Sequence, residues 1–196
     1  MPLMNLSKWF YLQQPRPEAR LRLFCFPYAG GGAALFRNWH LSLGSEVEVI
    51  AIRTPGRENR FGEPAISSLS VLVEQLYEQL LPLLDKPFAF FGHSNGALTC
   101  FELARLLHDR GQRLPQRLIL SAKRPPHIGD PGAMGSGKAI SQLPEAEFIA
   151  ELQQLAGTPP EVLRNRDLME LFLPTLRADF ALCDQHQFIP GPLLPC

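Results

Sequence analysis

The chain has 196 residues, enough for one domain with a sizeable apolar core. Nineteen Lys and Arg balance nineteen Asp and Glu, so the net charge is zero and offers no footing for nucleic acid or an anionic membrane. Hydrophobic residues make up 45% of the sequence, which argues against disorder, and no apolar run approaches the ~20 residues of a membrane span.

Residues 1 to 20 read as a Pro-bearing lead-in. With Lys8, Pro15 and Arg16 it lacks the apolar region of a secretory signal. Leu21 to Phe26 is a short apolar run and reads as a strand. Pro27-Tyr28-Ala29-Gly30-Gly31-Gly32 follows, and Ala33 to Leu43 has helical character. The glycine run matches neither the Walker pattern nor Gly-x-Gly-x-x-Gly, so it reads as a loop whose backbone comes close to a ligand or simply turns the chain. Val47 to Ile52 is the next strand. The turn from Arg53 to Arg60 carries three arginines, Arg53, Arg57 and Arg60, and leaves the end of a strand where open α/β sheets place ligands. Leu69 to Leu84 is an amphipathic helix, broken near its end by Pro82.

Phe88 to Ala97 is the most informative stretch. Phe88-Ala89-Phe90-Phe91 runs into Gly92-His93-Ser94-Asn95-Gly96, and a helical pattern follows with Leu98, Phe101, Ala104 and Leu107 on one face. Strand, tight turn and helix are the context that makes Gly-x-Ser-x-Gly a nucleophile elbow. Ser94 is therefore the candidate nucleophile. The helix start behind it offers backbone N–H groups and a positive dipole end to an oxyanion. Gly111 reads as the C-cap of that helix, and Leu118 to Ala122 as a further strand. Strands alternating with helices predict an α/β fold with a mostly parallel sheet and flanking helices.

From Lys123 the texture changes. Arg124 to Gly137 is rich in Pro and Gly. Leu143-Pro144-Glu145 opens a helix to Leu155 with Gly157 beyond its end, Thr158-Pro159-Pro160-Glu161 starts another, and Leu168 to Gln187 is helical with Pro174 kinking or dividing it. Three helical segments without a strand predict a cap over the active-site end. Pro190 to Cys196 leads toward another strand. The cysteines Cys25, Cys100, Cys183 and Cys196 show no paired metal spacing, and Cys25 and Cys100 read as core residues. The whole reads as a reduced, cytoplasmic protein.

Taken together, Phe26-Pro27-Tyr28-Ala29-Gly30-Gly31, Pro55-Gly56-Arg57-Glu58 and Gly92-His93-Ser94-Asn95-Gly96-Ala97 resemble the stand-alone type II thioesterases of nonribosomal peptide and polyketide synthesis. Leu143-Pro144, Gly157 to Leu163 and Leu176-Arg177-Ala178-Asp179-Phe180 are similar to that family's lid helices. The resemblance covers nearly all the chain from about Leu21. It implies an α/β-hydrolase domain over 1–196 with a lid insertion over 124–188. It also implies hydrolysis of acyl groups from the phosphopantetheine arm of a carrier protein. Oxyanion donors would be the N–H groups of Ala29 and Asn95. The resemblance implies no metal and no cofactor of the protein's own, a carrier protein and a small acyl substrate as partners, and a monomer.

Two departures stand out. The family usually has Met where this chain has Asn95, which puts a polar side chain near the acyl pocket. The family's catalytic Asp lies just past a strand that would begin at about Cys196, and its His lies further on. The expectation is that both, with the C-terminal strand and helix, lie outside these 196 residues. No residue present replaces them. Asp184 and His186 are two apart on one helix and do not face each other. His93 adjoins Ser94 and cannot turn onto it, while His127 follows a strand end and could line the pocket. His40 and His108 read as helix-surface residues, and Asp179 as a lid contact. Two other readings remain open: a carboxylester hydrolase or acyltransferase on the same fold, and a non-catalytic carrier-binding module.

Overall fold

A computed structural model describes residues 7–128, 132 and 137–196. Five strands form one sheet: β1 (Phe10–Tyr11), β2 (Leu21–Phe26), β3 (Val47–Ile52), β4 (Phe88–His93) and β5 (Leu118–Ser121), in the order β1-β3-β2-β4-β5. β2, β3, β4 and β5 run parallel, while β1 pairs antiparallel with β3 and covers that edge. The lead-in thus contributes a short strand that its composition did not announce.

The strands are apolar on both faces, as a parallel sheet covered on both sides requires. Phe24, Phe26, Ile50, Ile52, Phe88 and Phe90 point to one face, where α2 (Leu69–Leu80) and α3 (Asn95–Asp109) bury their stripes. Leu23, Cys25, Val49, Ala51 and Ala89 point to the other and meet Ala33 and Phe36. The stripe on α2 is Leu69, Leu72, Val73, Leu76, Tyr77 and Leu80, the spacing of a helix with one wet face. α3 ends in a Schellman turn: Gly111 adopts φ +62°, its N–H bonds His108 O, and Gln112 N–H bonds Leu107 O. One charged pair interrupts the apolar pattern. Arg22 and Glu48 stand opposite each other on β2 and β3, both buried, and Arg22 Nε donates to Glu48 at 2.9 Å.

The predicted helix over 33–43 is instead a 3-10 turn at Ala33–Phe36 and a single turn of helix, α1 (Trp39–Ser42). α2 stops at Leu80, and the chain tightens into a 3-10 turn at Leu81–Leu83 around Pro82, which has no N–H to continue the ladder. Among the described residues three α-helices follow β5: α4 (Glu145–Leu155), α5 (Pro160–Arg164) and α6 (Arg166–Asp184). They share their own apolar cluster around Phe148, Leu152, Leu163, Met169, Leu173 and Leu176. α4 is closed by Ala156, not Gly157, in the left-handed region at φ +52°. α6 starts two residues earlier than its periodicity suggests, because Asn165 caps it by accepting from Leu168 N, and it continues as one helix through Pro174. Part of the loop read over 124–137 lies outside the described residues. Residues 190–196 have no regular structure.

Candidate active site

The centre of the site is the turn from β4 to α3. Ser94 N-caps α3 with φ +53° and ψ −113°, a conformation that L-residues rarely adopt. Its N–H is fixed by Ser121 O of β5 at 2.8 Å, and its own O accepts from Ala97 N at 3.0 Å. The glycines on either side explain how so sharp a turn fits. A Cβ on Gly92 would lie 2.3 Å from Gly96 O, and a Cβ on Gly96 would lie 2.2 Å from Phe26 O. Both clashes are with backbone, which cannot rotate away. The elbow reading of Gly-x-Ser-x-Gly thus has its physical cause in the packing of α3 against β2 and β4.

Ser94 opens onto a cavity of about 420 Å³, lined also by Tyr28, Ala29, Asn95, Lys123 and Phe180. Both expected oxyanion donors therefore border the same space as the serine. Asn95 is the first residue of α3, so its N–H has no partner within the helix. Ala29 lies in the loop after β2, where Gly30 takes φ +77° and its N–H is bonded to Asp179 Oδ2 at 2.7 Å. A second cavity, of about 660 Å³, adjoins the other side of that loop and is walled by Leu35, Pro159, Val162, Phe172 and Leu176.

The Asn95 side chain does not hang in the cavity as a free polar group. It is buried; Nδ2 donates to Asp179 O at 3.0 Å and Oδ1 accepts from Cys183 Sγ at 3.2 Å. It therefore pins α3 to α6. Asp179 is a contact of α6, as read, but a far richer one. Arg57 Nη2 donates to its Oδ1 at 2.7 Å and Arg57 Nη1 to its Oδ2 at 2.9 Å, with both residues buried. Sequence spacing could not show this cluster, because its members come from four separated stretches.

All five histidines are described, and none bonds Ser94. His93 Nδ1 lies 3.0 Å from Ser121 Oγ, so the ring turns away from the serine beside it. His186 Nε2 meets Glu102 at 2.9 Å. Asp184 instead accepts from Ser141 N at 2.7 Å, so it does not orient His186. His127 packs edge-on to Phe188 and does not line the Ser94 cavity, contrary to the option left open for it. His108 pairs weakly with its neighbour Asp109, and His40 is partly buried with Nδ1 unpaired among the described residues. Among the described residues no group of His, Cys, Asp and Glu could hold a metal ion, and no helix is long and apolar enough to cross a membrane.

Burial pushes the Cys25 and Cys100 thiols up, so neither is a nucleophile.

Comparison with known proteins agrees with this fold. The family model of the thioesterase domain matches residues 21–193. The chain is 43% identical over 193 residues to linear gramicidin dehydrogenase LgrE of Brevibacillus parabrevis, covering 97% of this chain and 72% of that protein. It is 42% identical over 186 residues to the gramicidin S biosynthesis protein GrsT of Aneurinibacillus migulanus, covering 95% and 71%. Among solved structures, the type II thioesterase BorB from the borrelidin biosynthetic cluster superposes with a TM-score of 0.82 at 33% identity, over 96% of this chain and 74% of that one.

Proposed function

The chain belongs to the thioesterase domain family, and we propose that it acts on acyl groups carried on the phosphopantetheine arm of a carrier protein in nonribosomal peptide or polyketide synthesis. The observation that carries this reading is Ser94 at the strained β4–α3 turn, open to a cavity that it shares with Ala29 and Asn95. Ser94 Oγ attacks the thioester carbonyl and gives its proton to a base; the C–S bond breaks to release the pantetheine thiol, and water then cleaves the acyl ester on Ser94. The N–H groups of Ala29 and Asn95 receive the oxyanion, each such donor being worth on the order of 3 kcal/mol. α4, α5 and α6 act as the lid of the domain, 124–188 by the sequence reading, which excludes water and receives the acyl chain. No metal or cofactor enters this scheme.

A serine hydroxyl needs a base to become a good nucleophile. The five histidines all engage other partners or lie away from Ser94, so the 196-residue chain should be a slow catalyst by itself. Oxyanion donors and binding alone leave a residual acceleration of ~10³–10⁴ over water. One relative is named a dehydrogenase, but the Gly30-Gly31-Gly32 run here lacks the dinucleotide fingerprint.

The test compares cleavage of an acyl-pantetheine thioester with that of a p-nitrophenyl ester of the same acyl group, with Ser94→Ala as the blank. Preference for the thioester is the expected result. Preference for the oxygen ester would replace this reading with a carboxylester hydrolase. Carrier binding without Ser94-dependent cleavage would leave a binding module.

A further inference from the structure

We propose that Asp179 and Arg57 are positioning residues that tie the seating of α6 to the conformation of the loop carrying Ala29; this rests on the reading of Ala29 as an oxyanion donor. The carboxylate of Asp179 binds two things at once. Its Oδ2 accepts from Gly30 N at 2.7 Å and from Arg57 Nη1 at 2.9 Å, while Oδ1 accepts from Arg57 Nη2 at 2.7 Å. Arg57 Nη1 also donates to Gly31 O at 2.7 Å. One ion pair thus holds the N–H of the Ala29–Gly30 peptide from the lid helix side and the C=O of the Gly31–Gly32 peptide from the β3–α2 loop side.

The Ala29–Gly30 peptide is joined to the Ala29 N–H through a single Cα. Holding the Gly30 N–H fixes one side of the Ala29 Cα, and Gly30 at φ +77° has no side chain to hold the turn by itself. Two further bonds from the same stretch of α6 reach the core: Asn95 Nδ2 to Asp179 O at 3.0 Å, and Thr175 Oγ1 to Gly56 O at 2.9 Å. The side chain of Leu176 covers Gly30 so closely that a Cβ there would lie 2.6 Å from it. When α6 sits on the core, Asp179 holds the Gly30 N–H, and both expected oxyanion donors are tethered to one helical turn. When α6 lifts, Gly30 loses its acceptor and Arg57 loses its carboxylate, keeping only Gly31 O. Lid closure and oxyanion-loop order are then one equilibrium rather than two.

The readout is amide hydrogen exchange of Gly30 in the 196-residue protein, which reports local opening directly. Asp179→Asn keeps the shape and removes the charge. It should speed Gly30 exchange by roughly tenfold or more, with the melting transition still cooperative. Should that variant unfold, Arg57→Lys carries the same test, since it keeps the charge but not the two-pronged geometry. Arg177→Ala is the control. Arg177 ties α6 to Ser141 O and Leu143 O, inside the helical layer, and does not touch the loop. In parallel, Ser94-dependent p-nitrophenyl ester cleavage should lose kcat with little change in KM, because the oxyanion is bound in the transition state. Unchanged Gly30 exchange in folded Asp179→Asn or Arg57→Lys would overturn the proposal, and so would an equal rise in Arg177→Ala. If Gly30 exchange responds while wild type shows no Ser94-dependent cleavage, the coupling stands and the hydrolase reading falls.

Discussion

Ser94, Asn95 and Arg57 each hold a conformation or burial that isolated residues avoid. Ser94 sits at φ +53°, and Arg57 is buried with Nε unpaired among the described residues. Such costs, of about 1–3 kcal/mol each, persist where the surroundings over-determine them. For Ser94 the surroundings are Gly92 and Gly96. Gly96→Ala would press a methyl into Phe26 O, so we expect a loss of ~1–3 kcal/mol or more by chemical denaturation, together with loss of Ser94 chemistry. For Asn95, Met at this position removes the bonds to Asp179 O and Cys183 Sγ but keeps the backbone N–H. The expected outcome is ~1–3 kcal/mol lower stability with Ser94-dependent cleavage retained and the acyl preference shifted. Loss of cleavage equal to that in Ser94→Ala would contradict this role.

Ser94 was legible from five consecutive residues because an elbow is a local device: two small residues and a strand–helix junction suffice. The roles of Arg57 and Asp179 were not, since they meet across 122 residues of sequence. A charged side chain inside a lid motif marks a contact but not its partner.

At the scale of elements, periodicity found the long helices and missed the short pieces. α2 and α3 carry full apolar stripes, whereas β1 is two residues long and is made by its pairing with Ile52 and Ala51 rather than by its own pattern. Its segment is anchored by charge. Lys8 and Arg60 both bind Glu63, with the Arg60 guanidinium stacked on Trp9. Hydrogen bonds from Arg60 and then Lys8 lower the Glu63 carboxyl to about 2. A carboxylate depressed in the folded state stabilises above its unfolded value, and that contribution is lost as pH falls through the folded one. The anchor should therefore hold at pH 5 and above and loosen between about pH 4.5 and 2. Titration of the Trp9 fluorescence checks this; a transition near pH 6 would assign it to another group.

At the scale of the whole molecule, the parallel run of β2 to β5 follows from strands alternating with helices, and α4, α5 and α6 add a separate apolar cluster. Two features of the sheet give tests. Glu48→Ala removes the cross-strand bond while Arg22 keeps Asp85 and Leu83 O, and should cost ~1–3 kcal/mol in a denaturant titration. The sheet is unevenly covered: β5 lies at one edge with Ile119 47% and Leu120 42% exposed. Such an edge invites pairing with other chains, so Ile119→Lys should reduce concentration-dependent light scattering. Equal scattering would place the association elsewhere.

The most direct test of the account is the rate of thiol release from an acylated carrier protein by the purified 196-residue chain, measured against Ser94→Ala. Release should depend on Ser94 yet stay well below about 1 s⁻¹, the low end for enzymes, because no histidine reaches the serine. Identical release by the wild type and Ser94→Ala would contradict the assignment of Ser94 as the nucleophile.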